Sequence, residues 1–275
     1  MSYSKEIYNL VVNKSKIQNF KPGHYSIFAI NSNNSIDLKL VKYNNFCFTN
    51  NFYNLRENPE LYYYIYKKIQ QAVRKRVIGT TERPVACLLS GGLDSSLIAA
   101  LVNKELQNDD TRNIQEKILN TFSIGLEGSE DLKYAKIVAK HLNSNHHEIV
   151  VSEDEFFNAI PEVIKVIESY DTTTIRASVG NYLISKYISQ NSDAKVIFNG
   201  DGSDELMGGY LYMNKAPNHL EFDKECKRLL SDIYLYDVLR SDRSISTNGL
   251  EPRTPFLDRK FVEFYLNIPS QLRFE

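Results

Sequence analysis

Ser90-Gly91-Gly92-Leu93-Asp94-Ser95-Ser96 gathers three hydroxyls, one carboxylate and a glycine pair into seven residues, after a β-prone run and before an apolar stretch of helical spacing. Two glycines let a backbone turn tightly and approach a ligand, and a helix starting there turns free N–H groups and its positive dipole end toward the loop. The chemistry expected is a cradle for a phosphate-type anion. Ser90, Ser95 and Ser96 add hydroxyl donors, and Asp94 suits a magnesium ion riding on the phosphates. A plain turn capped by Asp94 and Ser95 accounts for each residue singly, but a cap needs one polar residue and no glycine pair. There is no G-x-x-x-x-G-K-[ST], and no G-x-G-x-x-G follows the strand, so neither a Walker loop nor a dinucleotide fingerprint is present.

Two further stretches carry chemistry. Gly200-Asp201-Gly202-Ser203-Asp204-Glu205-Leu206-Met207-Gly208-Gly209-Tyr210 holds three carboxylates and four glycines, poor packing material but suited to a charged loop that a ligand approaches; a solvated acidic turn is the alternative. Tyr170-Asp171-Thr172-Thr173-Thr174-Ile175-Arg176-Ala177-Ser178 sets threonine hydroxyls beside an arginine, a combination that suits a substrate carboxylate, although Thr-rich segments before helices are commonly caps. His146 and His147 lack the i, i+4 spacing of a helical metal pair and read as structural. Cys87 reads as core. Arg253 and Asp258 fit a site, an N-cap or an ion pair equally.

The elements that must position these residues alternate. Strands are expected at residues 85–89, 120–124, 147–151 and 195–199, with helices at 94–104, 132–142, 154–167 and 177–188. Such alternation implies a parallel sheet with right-handed crossovers, which binds ligands beyond the carboxyl ends of its strands. Both glycine-rich motifs fall there. Before residue 50 the pattern differs: Pro22-Gly23 leads into β-prone runs at 25–30 and 36–43 about a polar loop, a hairpin that needs something to pack against. A helical pattern then runs from Phe52 through Val77 to Gly79 and Pro84, and the 251–258 segment reads as Pro-stiffened, then helical through Ile268.

Composition narrows the function classes. With 33 basic and 34 acidic residues the net charge is -1, so no global field favours nucleic acid or an anionic membrane. No apolar run approaches the roughly 20 residues needed to cross a bilayer, and the first residues lack the apolar core of a secretion signal. Three scattered cysteines form no C-x-x-C pair; a cytoplasmic protein fits, and neither a zinc site nor a disulfide framework does.

The 90–96 string resembles the PP-loop of ATP pyrophosphatases. Together with residues 121–126, Asp131-Leu132-Lys133, His146-His147-Glu148, 170–178, 200–210, Lys215-Ala216-Pro217-Asn218 and 251–258, it is similar to the synthetase domain of glutamine-hydrolysing asparagine synthetases over almost the whole chain. The resemblance implies an α/β fold, a doubly wound parallel five-stranded sheet, spanning 51–275 and incomplete at its C-terminus. Residues 1–50 would be a hairpin resembling the end of a glutaminase domain. It further implies an AMP-forming ligase: the aspartate β-carboxylate attacks the α-phosphorus of Mg-ATP, giving β-aspartyl-AMP and pyrophosphate, and ammonia displaces AMP to give asparagine.

By the same resemblance Leu88, Ile124, Asn199 and Gly200 line the adenosine pocket, and Ser90, Gly91, Gly92, Asp94, Ser95 and Ser96 grip pyrophosphate. Asp94 and Asp204 carry Mg2+, Thr173, Thr174 and Arg176 orient aspartate, and Asp201 stands where the family has a glutamate acting at the adenylate step. Three departures accompany it. Ser2 replaces the family's cysteine nucleophile, so glutamine hydrolysis is not expected, and nitrogen would come from ammonia or a partner glutaminase. Asp201 replaces glutamate and Asn199 replaces serine; one methylene shortens a carboxylate's reach by roughly 1.5 Å, and misplacement near 1 Å can cost about a hundredfold in rate. The chain ends before a lysine that contacts the reacting phosphate in the family, so weak turnover is expected, along with association through an exposed apolar patch, as a homo-oligomer or with a glutaminase chain. The alternatives are a β-lactam synthetase-like amide former and a nucleotide-binding, non-catalytic partner of a full-length synthetase.

Overall fold

The computed structural model describes residues 20–33, 35–43, 60–80 and 83–274, which fall into two compact units divided after residue 47. The first is an antiparallel hairpin, β1 (His24–Ile30) with β2 (Ile36–Lys42), registered from His24 opposite Lys42 to Ile30 opposite Ile36. Phe28 faces Leu38 and Ile30 faces Ile36 on one side, and within the hairpin no described residue covers that apolar face.

The second unit begins with α1 (Glu60–Ile78); the helix expected from Phe52 lies outside the described residues up to Glu60. Then follow β3 (Val85–Leu88), α2 (Leu93–Gln107), β4 (Asn120–Gly125), α3 (Glu130–Leu142), β5 (Asn145–Val150), α4 (Glu153–Ile167), α5 (Thr172–Asn191) and β6 (Val196–Phe198). Beyond β6 come α6 (Ser203–Met207), α7 (His219–Asp232), α8 (Asp237–Ser246), β7 (Glu251–Arg253), α9 (Arg259–Asn267) and α10 (Ser270–Arg273). The strands form a five-stranded parallel sheet ordered β5-β4-β3-β6-β7. Its fifth strand corrects the reading of 251–258 as merely Pro-stiffened: Glu251, Pro252 and Arg253 lie in parallel register with Val196, Ile197 and Phe198. Proline is tolerated because this is an edge strand.

Strand alternation builds the core. Ala86, Phe122 and Ile197 meet Ile184 and Ile188 of α5 and Ile245 of α8 on one face. Their neighbours Val85 and Cys87, buried as well, belong to the opposite face, where α1 and α2 pack. Burial pushes the Cys87 thiol up, consistent with its reading as core. Order reversal between β3's two neighbours makes the β3/β6 crevice the switch point at which a doubly wound sheet takes its ligand.

Candidate active site

Leu89, just past β3, donates its N–H to Phe122 at 2.8 Å, and the chain then leaves the sheet through Ser90, Gly91 and Gly92. Gly91 sits at φ +81°, and a Cβ there would come within 2.5 Å of the Ala135 nitrogen on α3, so the first glycine serves close packing. Gly92, with an ordinary φ of -67°, is the N-cap of α2 and offers no side-chain cap. The suggestion that Asp94 and Ser95 cap this helix is therefore not met. Instead Ser95 ties the loop together: its hydroxyl donates to the Gly92 carbonyl at 3.2 Å and lies 3.0 Å from the Ser90 hydroxyl. Uncapped first-turn amides around these hydroxyls are suited to an anion. The buried Ser96 Oγ has no hydrogen-bond partner among the described residues.

Across the switch point, β6 runs into Asn199, Gly200 and Asp201. A Cβ on Gly200 would lie 3.0 Å from both the Asp94 Cβ and the Ser95 nitrogen, so this glycine lets the two motif loops touch. Asn199 is buried and donates through Nδ2 to Asp201 Oδ2 at 2.8 Å and to Ser241 Oγ at 2.7 Å. Asn199 and Asp201, two of the residues that depart from the resembled pattern, thus bond to each other. Burial raises the Asp201 carboxyl above its ordinary value, against the Ser241 hydrogen bond and the Arg240 charge. Asp204 is raised by burial and then by the neighbouring carboxylates of Asp94, Asp237 and Asp201. Glu205 accepts a hydrogen bond from the Tyr210 phenol and is pushed up to about 7, chiefly by burial.

These groups border one cavity of about 730 Å³. It brings together Leu88, Ser90, Asp94, Ser95, Thr173, Thr174, Asn199, Gly200, Asp201 and Asp204 from the expected set. Gly91, Gly92 and Ser96 belong to the same loop without lining it. Ile124 and Arg176 do not join: they line a second cavity of about 820 Å³, with Leu126, Phe156, Phe157, Ile160, Ile175 and Val179. The reason is helical geometry. Asp171 caps α5, accepting the Thr174 N–H at 2.7 Å, so the helix starts at Thr172 rather than at 177. At about 100° per residue, 173, 174 and 181 face the first cavity, while 172, 175, 176 and 179 face the second.

Sequence reasoning missed the wall supplied by the 3-10 turn at Leu211–Lys215 and by α7 and α8: Tyr212, Arg228, Asp232, Tyr236, Asp237 and Arg240, the last two an ion pair. Its only signal was the i, i+3 spacing of Asp237 and Arg240. His146 holds Thr121 Oγ1 at 2.9 Å and Ser123 Oγ at 3.1 Å, and His147 stacks on Phe122, so both are structural. Asp258 caps α9 and pairs with Arg76 and Lys75, and Arg253 pairs with Glu251; neither lines the cavity.

Among the described residues no three His, Cys, Asp or Glu side chains converge as a metal cage. Asp94 and Asp204 both line the cavity, and the charge of Asp94 reaches Asp204 and raises it. The pair fits a smaller demand: magnesium is usually held by one or two carboxylates plus substrate phosphates.

The sequence matches the asparagine synthase family over residues 65–224 and 214–275. This chain belongs to that family. It is 43% identical to the glutamine-hydrolysing asparagine synthetase of Cricetulus griseus over 269 residues, 94% of this chain and 47% of that protein, and the same figures hold for the Homo sapiens protein. The chain thus spans about half the length of these curated relatives. Among solved structures, NMN synthetase from Francisella tularensis superposes with a TM-score of 0.37 at 13% identity, over 76% of this chain and 95% of that one. Among the described residues no helix is long and apolar enough to cross a membrane.

Proposed function

We propose that this chain carries the synthetase chemistry of an asparagine synthetase: ATP-dependent, AMP-forming amidation of aspartate through β-aspartyl-AMP, with ammonia or a partner glutaminase as nitrogen source. The observation that carries this reading is convergence. One cavity at the sheet's switch point joins the 90–96 loop and its uncapped helix, the Asp94 and Asp204 carboxylates, and Thr173, Thr174 and Asp201 from two other elements.

In this reading the loop amides and the Ser90 and Ser95 hydroxyls hold the departing pyrophosphate, and Leu88 with the Asn199-Gly200 backbone borders the adenosine. Mg2+, held by Asp94 and Asp204, would neutralise charge on the phosphates. Thr173 and Thr174 contact the aspartate. Asp201, kept in place by Asn199 and raised by burial, is suited to take a proton from the incoming ammonia once the adenylate has formed.

The test is product analysis with saturating Mg-ATP, aspartate and ammonia. AMP and asparagine in equal amounts is the expected outcome. ADP as the nucleotide product would refute the reading.

A further inference from the structure

We infer that Asn199 and Ser241 are positioning residues that hold the Asp201 carboxylate at the amidation step, and that Asn199 and Asp201 are matched to each other in length. This rests on the reading above that Asp201 takes a proton from the incoming ammonia. Asn199 is 5% exposed and Ser241 2%, and Ser241, on α8, does not line the cavity. Both amide N–H donors of Asn199 are committed, one to Asp201 Oδ2 at 2.8 Å and the other to Ser241 Oγ at 2.7 Å. The Ser241 hydroxyl, accepting from Asn199, keeps its own proton to give to Asp201, whose charged form it favours. The three side chains thus close a ring between the end of β6 and α8.

The backbone has no need of this ring. The Asn199 N–H donates to the Arg253 carbonyl at 3.1 Å, and Gly200 rests against Asp94 and Ser95, so the strand end is fixed before any side chain acts. What remains to be fixed is the direction of a short carboxylate. Arg240 favours its charge and Asp237 opposes it, both from α8. An ion pair with the guanidinium would hold the carboxylate but lower its basicity, whereas neutral amide and hydroxyl donors hold it and leave more of that basicity for a proton.

Reach explains why an asparagine suits position 199. Its donor nitrogen lies one bond farther from the backbone than a serine hydroxyl, and an aspartate oxygen lies one bond nearer than a glutamate oxygen, each bond about 1.5 Å. A long donor facing a short acceptor closes the 2.8 Å contact. A longer acceptor would be driven into the Asn199 amide unless the donor shortened with it.

The test uses the whole chain and two assays: exchange of labelled pyrophosphate with Mg-ATP and aspartate, and asparagine formation once ammonia is added. The readout is asparagine formed relative to exchange. Asn199→Ala should lower that ratio on the order of a hundredfold and Ser241→Ala by less, with exchange by the Ser241 variant unchanged. In an Asp201→Ala background neither change should cost anything further, because both act through the carboxylate. Asp201→Glu alone should lower the ratio, and Asn199→Ser combined with it should recover most of the loss. Retained circular dichroism shows that the variants fold. Three results overturn the inference: exchange and asparagine formation falling in step in both single variants, the Asn199 and Ser241 effects undiminished in the Asp201→Ala background, or Asp201→Glu alone outperforming the unaltered chain. Failure of the unaltered chain to form asparagine at all would overturn the proposed function, and this inference with it.

Discussion

Glu205 sits buried among Tyr210, Asp237 and the acidic lining, and its carboxyl is raised from 4.5 to about 7, chiefly by burial. A folded state that keeps a proton the unfolded chain has released is stabilised by that proton, so the stabilisation is present below the unfolded value and lost as pH rises through the folded one. Stability of the ligand-free protein should therefore fall between about pH 4.5 and pH 7, with Asp201 and Asp204, also raised, acting in the same direction. Denaturant midpoints across this interval read the effect, and Glu205→Gln should flatten the slope; parallel profiles for variant and wild type would exclude Glu205 as its source. Asp204 offers a second test. Asp204→Asn removes a carboxylate crowded by Asp94, Asp237 and Asp201, so it should raise the melting temperature without ligand yet weaken Mg-ATP roughly ten- to a hundredfold, as loss of a charged ligand group does. Unchanged Mg-ATP affinity would remove Asp204 from the metal site.

At the scale of elements, the two glycines of the loop separate packing from binding. Gly91→Ala must adopt a positive φ and collide with α3, so it should destabilise by about 1–3 kcal/mol. At Gly92 the φ is ordinary and a Cβ would meet no protein atom closer than 3.4 Å, so a bulky side chain there should leave stability nearly intact and abolish ATP binding. Thermal unfolding and nucleotide titration of both variants distinguish these effects. Gly92 variants with native nucleotide affinity would sink the loop assignment. The strands β3 and β6 were legible because their apolar runs end in the 90–96 and 200–210 motifs. β7 was not: Glu251-Pro252-Arg253 is three residues with a proline and two charges, and only pairing with β6 makes it a strand. α7 and α8 were equally hidden: no motif in residues 219–246 marks them, and only the fold brings Asp237 and Arg240 to the cavity. Arg176 has a placement that its sequence neighbours did not announce. It neighbours Thr173 and Thr174 in sequence, but the helix begins at Thr172 and carries it to the other side.

For the whole molecule, the sheet alone provides a site; what the proposed reaction needs is that loops from β3 and β6 and the starts of α5 and α8 border one volume. The near-zero net charge conceals this, because acidic residues concentrate in the cavity while the basic excess lies elsewhere. Such a distribution suits a metal-carried nucleotide better than a bare anion. The hairpin is described by itself as two strands whose apolar face requires a partner beyond them. The central claim is that the cavity at the switch point activates aspartate with ATP, and exchange of labelled pyrophosphate into ATP measures that step apart from amide formation. The account predicts exchange that requires both Mg2+ and aspartate and does not require ammonia or glutamine. Exchange proceeding equally without aspartate, or nucleotide and aspartate both bound with no exchange, would contradict it.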